Sequence, residues 1–258
     1  MTFKDKTENN YNSFIKAQDL IKNNSMINSS LSNVELNIFQ EAIYKGIKKK
    51  YNTEILFNNN SIIDNILKYK RYKECALVFS SGILSNNTGK HNTQEDSVLR
   101  STNLYPILEK STVYKGFYLP NKNSGFLKAD NTIYIKNALV FKNEELVLML
   151  DNWVNADFVF SAPPDLSIND SDKKQLESII YKRLKLVFAI AAKNKITVLI
   201  LGAYGCGSSN NSPTMVAKIF KELINEYDGF FKKIIFSIKC KDFSDINYHT
   251  FYRIITNS

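Results

Sequence analysis

From position 51 onward the chain alternates short, mainly apolar runs with longer stretches whose apolar residues recur every three or four positions. The short runs, at 53–57, 76–80, 132–141, 146–150, 157–161, 196–203 and 234–238, are dominated by β-branched, aliphatic and aromatic side chains and predict buried strands. The periodic stretches predict helices over 62–69, 94–110, 171–193, 213–227 and 247–255. Pro106 interrupts the second of these. The third has Ser171 as its cap, turns Leu176, Ile179, Ile180, Leu184, Val187 and Ile190 inward, and stops at Asn194. The fourth opens with Ser212 as N-cap and Pro213 at the first helical position. It carries one apolar stripe of Met215, Val216, Ile219, Phe220, Leu223, Ile224 and Tyr227, and Gly229 ends it. Strands alternating with helices predict an α/β fold with a largely parallel sheet covered on both faces. Before position 51 the spacing is helical at Phe14, Ala17, Leu20 and Ile21, and again at Leu36, Phe39, Ala42 and Ile43, with 26–33 as a loop between. Residues 1–50 therefore read as a helical N-terminal extension and 51–258 as the main domain.

The composition, 44% hydrophobic and 23% charged over 258 residues, is that of an ordinary globular chain able to bury a substantial core. No apolar run approaches a membrane span, and the opening stretch MTFKDKTENNYNSF lacks the apolar centre of a secretory signal. Three scattered cysteines, Cys75, Cys206 and Cys240, and two histidines, His91 and His249, give neither a disulfide framework nor metal-ligand spacing. A reducing, cytoplasmic setting without a metal fits that usage. The net charge of +9 suits an anionic partner. The lysines fall in short clusters at 48–50 and 68–73, which read as solvated faces, and no nucleic-acid-binding motif accompanies them.

Two stretches could carry chemistry. The first is Gly202-Ala203-Tyr204-Gly205-Cys206-Gly207 and the polar residues to Asn211, set between a buried strand and a helix start. Bare backbone N–H groups and a positive helix end meet there, where a phosphate can sit. The same glycines also suit an ordinary strand-to-helix turn that needs positive φ. Cys206 has no histidine partner and reads as a small buried residue. The second stretch is Gln94-Glu95-Asp96, two adjacent carboxylates at a helix start, which by themselves are common capping acids.

The string Leu201 to Gly207, followed by Asn211, Pro213 and the Val216-Ala217-Lys218-Ile219-Phe220 helix, resembles the C-terminal signature of the microbial-type poly(ADP-ribose) glycohydrolases, a branch of the macrodomain superfamily. That family usually has Trp where Tyr204 stands and Phe where Ser209 stands. Its Gln-Glu-Glu triplet, with a Ser, an Arg and a Leu-Tyr pair downstream, is matched in spacing by Gln94, Glu95, Asp96, Ser97, Arg100, Leu104 and Tyr105. A strand followed by Ser161-Ala162-Pro163-Pro164 resembles a third family segment, so the likeness runs from about residue 75 to 255.

The resemblance implies a macrodomain-like three-layer α/β/α sandwich whose ligand lies at the carboxyl ends of the strands, between the 81–96 and 202–211 loops. It implies an enzyme that hydrolyses the O-glycosidic bond of poly- or mono-ADP-ribose, without a cofactor, and whose partner is ADP-ribose or an ADP-ribosylated protein. Asp96 takes the catalytic acid/base position. Gln94 and Glu95 hold the ribose and orient the acid. Gly202, Ala203, Tyr204, Gly205, Cys206, Gly207 and Asn211 form the ligand loop. Because an adenine ring needs an aromatic or apolar slot, Tyr204 is one candidate lid. Two departures stand out. Asp96 replaces a Glu, one methylene longer, and the family's glycine triplet gives way to SGILSNNTGKHNT at 81–93, with only Gly82 and Gly89. Both favour an alternative reading, a module that binds ADP-ribose or an NAD-derived signalling nucleotide without cleaving it.

Overall fold

The structure, a computed structural model, describes residues 3–41, 49–85, 88–143, 145–149, 152–167, 173–240, 242 and 245–257. Its centre is one seven-stranded sheet of β1 (Glu35–Phe39), β2 (Glu54–Asn58), β3 (Glu74–Phe79), β4 (Thr132–Val140), β5 (Val154–Ser161), β6 (Val198–Leu201) and β7 (Lys233–Ser237). The strands lie in the order β1-β4-β5-β3-β6-β7-β2. The run from β5 to β2 is parallel. β4 is antiparallel to both β5 and β1, so the sheet is mixed. Parallel neighbours need a crossover, usually a helix, and the chain between β4 and β5 forms none among its described residues.

Successive strand residues face opposite sides, and each side is covered. Leu77, Val159, Leu199 and Leu201 meet Leu184, Val187, Phe188, Phe220 and Phe251, which come from α8 (Lys173–Lys193), α9 (Pro213–Glu226) and α10 (Ile246–Thr256). Ala76, Val78, Phe158, Phe160 and Ile200 meet Ile63, Ile66, Leu99, Leu108 and Phe117. That second layer consists of α3 (Ile62–Tyr69), α4 (Gln94–Ser101) and short helical turns that include α5 (Tyr105–Leu108), α6 (Ser111–Val113) and α7 (Leu119–Asn123). The three-layer arrangement is the one expected. A smaller cluster, Ala17, Ile21, Ile27, Leu139 and Phe141, seats α1 (Phe3–Asn23) and α2 (Ser25–Ser30) on the outer end of β4.

Local chemistry explains the boundaries. Ser61 and Asp64 form a reciprocal capping box that starts α3 at the expected residue. The Ser212 hydroxyl accepts from the Met215 amide, and Pro213 opens α9 as expected. At the end of α8, Ile196 N donates to Ala191 O and Lys195 N to Ala192 O, with Lys195 at φ 56. Lys195 therefore takes the left-handed position, while the Asn194 side chain donates back to Ile190 O. The expected cap Ser171 lies outside the described residues.

Four expectations need correction. The stretch 26–33, expected as a loop, is helical: α2 runs to Ser30 and a single tighter turn covers Leu31–Asn33, the Asn24 side chain capping α2 by accepting from the Met26 and Ile27 amides. The helix read over 94–110 ends at Ser101, because Thr102 bridges to Val140 and the chain restarts as α5 with a proline in its first turn. Leu36 and Phe39 belong to strand β1, paired with β4, and Ala42 and Ile43 lie outside the described residues. Among the described residues 146–149 there is a single bridge, Lys142 with Leu148, and Leu146, at φ 63, breaks the pleat; Leu150 lies outside the described residues.

Candidate active site: an acid pair facing a glycine turn

Each residue of the Gln94-Glu95-Asp96 triplet fastens a different part of the preceding loop. Gln94 Oε1 accepts from the Phe79 amide at 2.9 Å, which fixes the start of α4 against the end of β3. Glu95 Oε1 accepts from the Ser80 hydroxyl at 2.7 Å and Oε2 from the Ser81 amide at 2.9 Å. Asp96 reaches the other way: Oδ1 accepts from Gly89 N at 2.7 Å and Oδ2 from His91 N at 2.9 Å. One turn further along, Arg100 Nη1 donates to the carbonyls of Gly89 and His91, both at 2.9 Å. Both acids are buried, Glu95 at 8% and Asp96 at 5% exposure. Burial pushes the Glu95 carboxyl up to about 7, against the lowering effect of its Ser80 and Ser81 hydrogen bonds.

The opposing wall is the turn after β6. Gly202 lets two segments approach, since a Cβ there would stand 2.9 Å from both Phe79 Cζ and Ser237 O. Gly205 is at φ +69, and a Cβ on it would lie 2.5 Å from Asn211 Nδ2 and 2.7 Å from Pro163 Cβ. Asn211 Nδ2 donates to Pro164 O at 2.8 Å and Gly205 O at 3.1 Å, tying the turn to the proline exit of β5. Gly207 faces open space. Ala203 is half-buried and lines a neighbouring cavity.

Two residues of this turn have roles set by burial. Tyr204 is fully buried, its hydroxyl 2.9 Å from Ser161 Oγ and its ring edge-on to Phe79 at 5.7 Å. The aromatic lid expected of it is therefore corrected: the ring is core, held beneath the turn. Cys206 is half-buried and its thiol is pushed up to about 12 by desolvation, as suits an inert residue.

Sequence reasoning missed Arg183, which is 2% exposed. Its Nη1 donates to Ala162 O at 2.9 Å, Nη2 to Leu127 O at 2.8 Å and Lys128 O at 2.9 Å, and Nε pairs with Asp130 at 3.1 Å. One guanidinium thus fixes the strand exit before Pro163 and the turn that carries Lys128. A signal was present, because Arg183 falls at i+3 from Ile180 and i−4 from Val187, inside the inward stripe of α8. Ser80 and Ser81, which hold Glu95, carried no signal beyond their closeness to β3.

A cavity of about 550 Å³ joins the two walls, touching Ser80, Glu95, Asp96, Pro163, Gly205 and Gly207. A second, of about 650 Å³, shares Phe79, Gln94 and Gly207 with it and continues between Ile62, Ile63 and Ile238. The result is a two-lobed groove at the carboxyl ends of the parallel strands, where open α/β sheets place their ligands. One lobe is lined by the two acids, the other by Ile62, Ile63 and Ile238. Among the described residues no group of three His, Cys, Asp or Glu could hold a metal ion, and no helix is long and apolar enough to cross a membrane.

No family model matches the sequence, and no curated protein matches it. Solved structures do. Poly(ADP-ribose) glycohydrolase from Thermomonospora curvata superposes with a TM-score of 0.83 at 18% identity, covering 96% of this chain and 99% of that one. The T267R mutant of the Deinococcus radiodurans enzyme, in complex with ADP-ribose, gives 0.77 at 20% identity over 89% and 96% of the two chains. The Deinococcus radiodurans enzyme in another complex with ADP-ribose gives 0.72 at 23% identity over 80% and 84%. The chain has the α/β/α fold of these bacterial poly(ADP-ribose) glycohydrolases.

Proposed function

We propose that the groove binds ADP-ribose and hydrolyses the O-glycosidic bond at its ribose, on poly- or mono-ADP-ribosylated substrates, in a reducing cytoplasmic setting. The observation that carries this is the single cavity touching both Glu95–Asp96 and Gly205–Gly207. Backbone of the glycine turn cradles the diphosphate, and the lobe beside Ile62 and Ile63 takes the apolar faces of the base. Gln94, Glu95 and Asp96 flank the ribose. As the C–O bond breaks, the departing oxygen takes a proton from a carboxyl, and water adds to the oxocarbenium-like carbon and gives its proton back to that carboxylate. Asp96, retracted by one methylene relative to Glu, chiefly shapes the site; both acids have both oxygens engaged by the loop, so that engagement does not separate their roles. Glu95, titrating near 7, holds the transferable proton. The fold shared with enzymes crystallised with ADP-ribose supports the choice of ligand.

The engagement of Asp96 also favours a second reading, recognition without turnover. Calorimetry with ADP-ribose and product analysis on poly- and mono-ADP-ribosylated protein separate the two. Release of ADP-ribose by wild type, lost in Glu95→Gln and raised in Asp96→Glu, supports the hydrolase. Tight binding with no product from wild type or Asp96→Glu establishes the second reading, and absence of binding removes both.

A further inference from the structure

The N-terminal helix α1 is seated on the loop that Asp96 holds. Phe14, 5% exposed, lays its ring directly over Gly89, so that a Cβ on Gly89 would come within 2.2 Å of Phe14 Cγ. Gly89 has φ +85, and its backbone is pinned from below through its N–H to Asp96 and its carbonyl to Arg100. The same ring stands edge-on to Tyr105 at 4.9 Å, which fixes its tilt. One turn earlier, Asn10 Nδ2 donates to His91 O at 3.5 Å, the carbonyl that Arg100 also binds. Lys90 sits over the Tyr11 ring at 4.7 Å. Residues 89–91 are thus gripped between α4 on one side and α1 on the other, and they lead directly into Asn92 and Thr93 of the cavity wall.

We infer that Phe14 is a positioning residue of the ligand groove: packed on Gly89, it fixes the loop whose amides hold Asp96, although Phe14 itself lines neither lobe and, of α1, only Asn10 reaches the second one. Where a glycine triplet would bring backbone close to a ligand, this chain has a loop with separated glycines. The aromatic side chain of a remote helix supplies the rigidity that the loop sequence lacks. The proposal assigns α1 a part in ligand recognition and rests on the ADP-ribose reading only for its affinity arm.

The test compares two truncations on the same helix in the full-length protein. Phe14→Ala opens a cavity against Gly89. Ile21→Ala opens one against Leu139 and Phe141, away from the groove. Both lower the melting temperature. Only Phe14→Ala should speed amide hydrogen exchange at Gly89 and His91, and only it should weaken ADP-ribose binding, by about tenfold, the scale of re-ordering a freed loop on binding. Phe14→Leu should recover part of both effects. Exchange is read without ligand, so it stands even if wild type fails to bind ADP-ribose, an outcome that would remove the proposed function and leave this inference to the exchange arm alone. Equal exchange at Gly89 and His91 in the two alanine variants would overturn the assignment. So would an Ile21→Ala protein as weakened for ADP-ribose as Phe14→Ala.

Discussion

Glu95 gives the sharpest quantitative prediction, because its carboxyl is buried and its protonation is coupled to folding. Its value in the fold is about 7, against an ordinary 4.5. A raised folded value means that the fold binds the proton more tightly than the unfolded chain does. The contribution of Glu95 to stability is therefore intact below about pH 4.5 and is lost as the pH rises through 7, once the ionised carboxylate must be buried. At 1.36 kcal/mol per pH unit, the full penalty is roughly 3 kcal/mol, and roughly 2 kcal/mol of it develops between pH 5 and pH 8. Glu95→Gln removes the titration but keeps the shape, and its amide can accept from Ser81 N and donate to Ser80 Oγ. Urea unfolding of the two proteins at pH 5, 6, 7 and 8 measures the effect. The stability of wild type relative to Glu95→Gln should fall by roughly 2 kcal/mol across that range, or roughly 5 °C in melting temperature. Glu74, pushed up to about 8 by burial, drifts in the same direction but cancels in the difference. A flat difference curve refutes the desolvated-carboxyl argument, and with it the view of Glu95 as a proton donor at neutral pH.

Gly205→Ala forces a Cβ into Asn211 and Pro163 at positive φ, and should cost roughly 2–4 kcal/mol in chemical unfolding together with ADP-ribose affinity. Gly207→Ala, facing open space, should stay within about 0.5 kcal/mol of wild type. Tyr204→Phe should lose about 1 kcal/mol with its Ser161 partner yet leave ADP-ribose affinity unchanged, since the ring does not line the groove; a large affinity loss by calorimetry would contradict that. Arg183→Met strips four backbone and carboxylate partners of their donor and should destabilise by roughly 3–5 kcal/mol, with Arg183→Lys recovering only a fraction. Cys206 should resist alkylation by iodoacetamide at pH 8 in the native protein, as mass spectrometry would show.

The elements that were legible in the sequence carry their own punctuation. Ser61 with Asp64, and Ser212 with Pro213, make helix starts that tertiary packing does not need to override. The buried strands of the parallel core, such as Ala76 to Phe79 and Val198 to Leu201, read clearly because both of their faces are covered. β1 was misread because Leu36 and Phe39 are three apart, a spacing that suits one helix face, while its true alternation, Leu36 with Ile38, spans too few residues to win. The acid triplet and glycine turn were recognisable as motifs, but motifs do not report depth. Burial makes Tyr204 a core residue rather than a lid, and the hydrogen bonds from Gly89 N and His91 N to both Asp96 oxygens could not be read from the motif. The grip of α1 on that loop joins residues some 75 positions apart and is visible only in three dimensions.

Strand β1 lies along the outer side of β4, whose residues from Thr132 to Ile135 are all buried. A chain shortened to begin at Tyr51 would keep every residue of the acid-lined lobe. It would also bare a row of backbone N–H and C=O groups flanked by apolar side chains, the kind of margin on which another molecule can add a strand. With β1 paired along it, that margin is covered; the shortened protein should join through its bared β4 margins into dimers and larger species, as sedimentation would show, and a monomeric shortened protein would contradict this.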